Sequence, residues 1–155
     1  MGDGVRLARA IIRAKRVYLC GNGGSGANAI HIANDLVAMG VKAMALTADI
    51  ATLTAIANDY GYEQVFARQI RTFGEEGDLL IALSGSGNSR NILAALEAAN
   101  AKKMLTWLIS GAYNEGGAAK DLAKKMTLMG RDMQEAEERQ IIIGHSAMRY
   151  IRDGE

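Results

Sequence analysis

The segment Ser84-Gly85-Ser86-Gly87-Asn88-Ser89 concentrates the atoms that could hold a phosphate. Ser84, Ser86 and Ser89 offer three hydroxyls, Gly85 and Gly87 let the backbone approach a ligand closely, and a following helix would present free N–H groups with partial positive charge. No basic side chain lies inside the motif, and Arg90 is the nearest. Neutralisation would come from hydrogen bonds and the helix end, which suits a sugar monophosphate better than a nucleoside triphosphate. The same residue types also cap helices that hold no ligand, so the turn alone admits both readings. A second glycine-rich turn, Gly21-Asn22-Gly23-Gly24-Ser25-Gly26, fits the loose dinucleotide pattern GxGxxG. Asp49 lies where such a site needs an acid for the ribose, which keeps a nicotinamide reading open. A Walker A site is excluded, because no Gly-Lys pair follows either turn.

Hydrophobic periodicity supplies the elements that must position these turns. Residues 5–15 predict a short amphipathic helix, 16–20 a buried strand, and 27–39 a helix ending at Gly40. A second strand is expected over 41–46, then helices over 51–57 and 63–73 separated by the turn at 58–61. The run 78–83 is apolar after its first residue, as in a strand covered on both faces, and it feeds through the serine-rich turn into a helix over 91–101. A strand at 104–109, a short helix at 118–125, a brief strand at 126–129 and a final helix at 134–152 complete the chain. This alternation predicts an open parallel sheet with helices on both faces and both glycine-rich turns at the carboxyl edge.

Composition narrows the partners. The 155 residues suit one domain spanning 1–155, and 18 Lys plus Arg against 17 Asp plus Glu leave no basic field for nucleic acid or an anionic membrane. A small molecule is the expected ligand. The opening residues lack the apolar core of a signal peptide, and no run is long enough to span a bilayer, so a cytoplasmic location is expected. The single Cys20, inside an apolar run, reads as a small buried thiol. Proline is absent where average usage predicts about eight, so the 18 glycines must make the turns.

Four ordered blocks carry a resemblance: YLCGNGGSGANAIHIANDL at 18–36, LTAIANDYGYEQVFARQI at 53–70, GDLLIALSGSGNSRNIL at 77–93 and EERQIIIGH at 137–145. On these the chain resembles the sugar isomerase (SIS) domain family, and within it the phosphoheptose isomerase group of heptose biosynthesis. The resemblance implies a flavodoxin-like three-layer αβα fold with about five parallel strands, and a homotetramer with sites at subunit interfaces. It also implies phosphate held by Ser84, Ser86 and Ser89, and substrate contacts from Asn22, Ser25 and Asp59. Zinc would be bound by His31, Asp35, Glu137 and His145, with Asp35 and His145 as the acid–base pair of an aldose–ketose isomerisation that passes through an enediol.

Spacing bears on that implied set. His31 and Asp35 are four apart and share a helix face, which serves one metal ion or an ordinary ion pair equally well. Glu137 and His145 are eight apart, about 12 Å along a continuous helix, near the limit for converging on one ion. His145, flanked by Ile141 to Gly144 and Ala147, also suits a core histidine. Yet both histidines of the chain fall on the implied ligand positions. Departures from the family pattern are Asp35 for glutamate, Gly85 for threonine, Gln140 for histidine, a short segment before the first strand and a short connection around Gly40. Two alternatives share the resemblance: a non-catalytic adaptor similar to the SIS protein that binds the bacterial replication initiator, and an isomerase or sensor of another sugar phosphate.

Overall fold

The computed structural model describes residues 2–154. Its sheet has five parallel strands among the described residues, in the order β2-β1-β3-β4-β5. In chain order these are β1 (Val17–Gly21), β2 (Ala43–Ala45), β3 (Leu79–Ser84), β4 (Leu105–Ser110) and β5 (Lys125–Leu128). The helices are α1 (Asp3–Arg13), α2 (Gly23–Ala38), α3 (Ile50–Tyr60), α4 (Ala67–Phe73), α5 (Arg90–Ala101) and α6 (Met133–Asp153). As expected, the central strand β3 is the continuous apolar run, buried at every residue. The edge strands are short, and β5 buries only Thr127.

Two apolar layers sandwich the sheet. Leu7, Ile11, Ile32, Leu36, Ile143 and Ala147 of α1, α2 and α6 meet Leu19, Ile81 and Ile109 on one face. Phe66, Ile70, Ile92 and Leu96 meet Cys20, Leu80 and Leu108 on the other. The strand order reverses between β1 and β3, the switch point where open α/β sheets gather ligands beyond their carboxyl ends.

Several elements differ from the expected bounds. The glycine-rich first turn is not a loop ahead of a helix: α2 begins at Gly23, four residues before the apolar periodicity starts, so Gly24, Ser25 and Gly26 form its first turn. The expected helix over 63–73 is a 3-10 turn at Tyr62–Gln64 and then α4, because Val65 and Phe66 between them turn into the core. The stretch given to a helix at 118–125 is a 3-10 turn, Gly117–Asp121, and Lys125 already pairs with Trp107 in the sheet. No helix among the described residues is long and apolar enough to cross a membrane.

Cys20 is wholly buried, and burial without a charged partner pushes its thiol from an ordinary 9.0 up to about 12. The folded state thus holds this proton more tightly than the unfolded chain. Its contribution to stability is complete below pH about 9 and falls as pH rises towards 12. An aromatic disulfide reagent at pH 8 should leave the native thiol unmodified and react stoichiometrically once urea unfolds the chain.

Candidate functional site

At the carboxyl ends of β1 and β3 the two glycine-rich turns lie side by side. Asn22, Ser25, Ser84, Ser86 and Ser89 line one small cavity of about 90 Å³. Internal bonds set the direction of the hydroxyls. The N–H of Gly87 donates to Ser84 Oγ at 3.0 Å, and that of Asn88 donates to Ser86 Oγ at 3.2 Å. A hydroxyl oxygen that accepts from the backbone keeps its own proton for something else, so both serines are left as donors. Ser89 is the N-cap of α5 yet makes no side-chain capping bond, which removes the simplest ligand-free account of the motif.

A neighbouring loop braces the turn. Ser86's carbonyl accepts from the side-chain amide of Asn114, Gly87's carbonyl accepts from Ala119 N–H at 2.9 Å, and Asn88 Oδ1 accepts from Ala118 N–H at 2.9 Å. Gly87 has φ +65°, and a Cβ there would overlap the carbonyl of Gly116. Gly85 faces Met133, whose sulfur fills the space that a side chain at 85 would need. The two turns are tied by a reciprocal amide pair: Asn22 and Asn91 each donate to the other at 2.8 Å, and Tyr62 Oη donates to Asn22 Oδ1 at 3.0 Å.

Asp49, the candidate ribose ligand, is spent on a helix cap. It accepts from the hydroxyl of Thr52 at 2.6 Å and from its N–H at 3.2 Å. Those bonds, the hydroxyl's first, hold its carboxyl below the ordinary range. Asp59 stands apart from the cavity on the exposed end of α3, where Asn58 donates to it at 2.9 Å.

His31, Asp35 and His145 converge on the outer face of α2 and α6, where His145 is half-buried rather than a core residue. The two histidine Nε2 atoms are 2.9 Å apart, and Asp35 Oδ2 is 3.3 Å from the first and 3.7 Å from the second. Tetrahedral ligands held about 2.0–2.1 Å from a zinc-sized ion stand about 3.3–3.4 Å from one another, and the three separations bracket that edge. Three donors would leave the fourth position open, as in catalytic rather than structural sites. Gly144 makes the convergence possible. A Cβ there would lie 2.9 Å from the Ile32 side chain, so the missing side chain lets α6 settle against α2 one residue before His145. Glu137 is not in this cluster: it lies two turns earlier on α6, its carboxylate over Gly24 and lining the serine cavity.

A family model described as the SIS domain matches residues 4–111. The phosphoheptose isomerase of Burkholderia pseudomallei is 43% identical over 143 residues, 88% of this chain and 72% of that one. The chain belongs to the SIS domain family, in its phosphoheptose isomerase group. A relative of the same name from Halorhodospira halophila is 47% identical over 125 residues, 74% of this chain and 62% of its own length, so the match spans less than two thirds of it. Among solved structures, the phosphoheptose isomerase of Neisseria gonorrhoeae superposes with a TM-score of 0.90 at 32% identity, covering 96% of this chain and 85% of that one.

Within this SIS fold, Met133 lines the cavity, and Asn91 and Tyr62 hold its Asn22, without having been singled out from the sequence. Asn91 carried the one available signal, a polar residue on the otherwise apolar face of α5. Tyr62 and Met133 carried none, since their nearness to the turns depends on how 61–66 and 130–133 fold back.

The two left-handed glycines Gly23 and Gly87 separate backbone strain from collision. Gly23 has φ +53° with nothing near its would-be Cβ, whereas Gly87 meets backbone. Gly23→Ala should cost about 1 kcal/mol and Gly87→Ala roughly 3 kcal/mol or more in urea denaturation.

Proposed function

We propose that the chain is a sugar-phosphate isomerase built on a single SIS domain, converting sedoheptulose 7-phosphate to D-glycero-D-manno-heptose 7-phosphate through an enediol. The observation that carries the reading is the convergence of His31, Asp35 and His145 beside an open position, on the same two helices whose first turns border a hydroxyl-lined cavity. The names of relatives 43–47% identical support the substrate class.

In this reading the phosphate sits among Ser84, Ser86, Ser89 and Ser25, with Asn22 as a further contact to the substrate, and Asp59, apart from this cavity, would contact substrate only at a neighbouring subunit's site. Glu137 is acceptor-only when ionised, so it takes the sugar's hydroxyls rather than phosphate oxygens. His31, Asp35 and His145 would hold a zinc ion, and Glu137 is left out of that set. When bound, the zinc polarises the substrate carbonyl as a Lewis acid.

Asp35 has two oxygens for two tasks. Oδ2 faces both imidazoles, and Oδ1 has only the 3.5 Å contact from Asn34. Oδ1 takes the proton from the carbon beside the carbonyl while His145, through Nδ1, the ring nitrogen not turned to the cluster, would protonate the carbonyl oxygen, giving the enediol. Asp35 then returns the proton to the neighbouring carbon as the adjacent hydroxyl becomes the new carbonyl, and that hydroxyl's proton passes to His145, restoring the acid. The chemistry is redox-neutral and needs no co-reactant.

The cluster and the cavity share no residue, and His31 lies about 9 Å along α2 from Ser25. Ile142, one turn before His145 on α6, is 51% exposed, and Ile30 and Val37 on a neighbouring face of α2 are 44% and 55% exposed. Exposed apolar side chains on both helices support burial by further copies, and we take the working form to be a homotetramer in which one subunit's cluster meets another's cavity.

Incubation with sedoheptulose 7-phosphate, followed by NMR, should give conversion that a chelator abolishes and zinc restores. His145→Asn should lower kcat by about 10²-fold or more. Turnover that survives complete zinc removal would sink the metal part. A protein that binds the sugar phosphate without converting it would be a sensor or adaptor instead.

A further inference from the structure

Beneath the cavity, a chain of amide groups decides what the Ser25 hydroxyl can do. Its sense can be worked out from a group with no freedom. The backbone carbonyl of Glu137 only accepts, so the atom of Asn28 that lies 2.9 Å from it is the amide nitrogen. The second hydrogen of that nitrogen points at Gln140, also 2.9 Å away, which obliges Gln140 to present Oε1 there. Gln140 Nε2 is thereby left facing Ser25 Oγ at 3.0 Å and must donate to it. Gln140 is wholly buried and Ser25 is 3% exposed, so water does not compete for these bonds.

We propose that Gln140 is a positioning residue, keyed by Asn28, that holds the Ser25 hydroxyl with its proton aimed into the cavity as a donor to the ligand's oxyanion. The inference rests on reading the cavity as the substrate's phosphate site. With Ser84 and Ser86 oriented in the same sense by backbone N–H groups, Ser25 completes a set of three outward donors supplied by two turns and one buried amide. Three hydroxyls whose protons point outward suit a fully ionised phosphate, which brings only acceptors, while Glu137 on the α6 side of the cavity would take the substrate's own O–H groups. An amide also carries no proton that titrates near neutrality, so the orientation of Ser25 stays constant across the pH range in which an imidazole in its place would change state.

The test is Gln140→Glu, with inorganic phosphate as the probe and affinity measured by calorimetry against wild type at each pH. A buried carboxyl that is still protonated can accept from Asn28 and donate to Ser25, reproducing the amide. Once ionised it has no hydrogen to give, and Ser25 must turn its proton inward. The ratio of variant to wild-type Kd should be near one at low pH and rise to about tenfold as the substituted carboxyl ionises, the worth of one hydrogen bond to a charged group. For the sugar phosphate, KM should follow the same curve with kcat unchanged.

In a Ser25→Ala background the pH-dependent penalty should vanish, which a merely structural role for Gln140 would not produce. If Gln140→Glu fails to fold, Asn28→Asp supplies the second route. It removes both amide hydrogens from a half-buried position, lets Gln140 turn its amide round, and should weaken phosphate about tenfold, again only while Ser25 is present.

A Gln140→Glu penalty that is flat with pH, or a penalty from either variant that is undiminished without Ser25, overturns the inference. Wild-type protein that binds phosphate through Ser84 and Ser86 while both variants bind equally well sinks Gln140's role and leaves the phosphate site standing. A wild type that binds no phosphate removes the site and the inference together.

Discussion

Pairing of β1 with β3, in the register that sets Gly21 opposite Leu83, is the constraint on which everything at the carboxyl edge depends. The two strands are adjacent in the sheet but separated in sequence by α2, β2, α3 and α4, so their ends leave a gap that no connecting loop crosses. Into that gap the chain puts two turns rich in small residues. Gly21 and Gly26 let the backbone of α2's first turn lie against the strand end, where a Cβ on either would come within 2.6–2.9 Å of backbone. The Asn22–Asn91 amide pair then locks the start of α2 to the start of α5. A slip of one residue between β1 and β3 would turn every side chain of one strand to the other face and separate the two turns.

No cationic side chain lines the cavity formed there. Phosphate sites built on arginine or lysine rely on net charge, which attracts any anion and weakens with salt. Here serine hydroxyls accept from behind, from the N–H groups of Gly87 and Asn88 and from the side chain of Gln140, so on the proposed reading recognition would rest on the direction of protons. Such a site discriminates by hydrogen-bond polarity, and it demands a rigid surround. The loop that carries Asn114, Ala118 and Ala119 supplies it by bonding to the backbone or side chains of residues 86–88.

The metal-type cluster depends on a different contact, the close parallel packing of α6 on α2. Gly144 against Ile32 sets the spacing, and the bonds of Asn28 to Gln140 and to the Glu137 carbonyl set the axial register. His31 and His145 then meet with ring centroids 5.2 Å apart. One helix pair thus carries both features, with its first turns at the cavity and its middle at the cluster. Glu137 shows why helical periodicity cannot be waived: eight residues before His145, it reaches the cavity end and not the cluster.

The chain's own order of residues determined the layered parallel fold, because the apolar run of β3 and the 3.6-residue periodicity of the long helices are local signals that burial on both faces reinforces. It also determined the two turns and the His31–Asp35 pair, which need only a helix to share a face. Local signals misjudged 63–66 and 118–125, where helical composition yielded to Val65 and Phe66 entering the core and to Lys125 joining the sheet edge. Only the tertiary structure decided that His145 belongs with that pair and Glu137 does not, that Asp49 caps a helix, and that Asn91, Tyr62 and Gln140 serve the cavity. Those outcomes depend on the distance and register between elements 40 to 115 residues apart in the chain. No periodicity encodes such separations, because they arise from how glycines and buried amides let two surfaces close on each other.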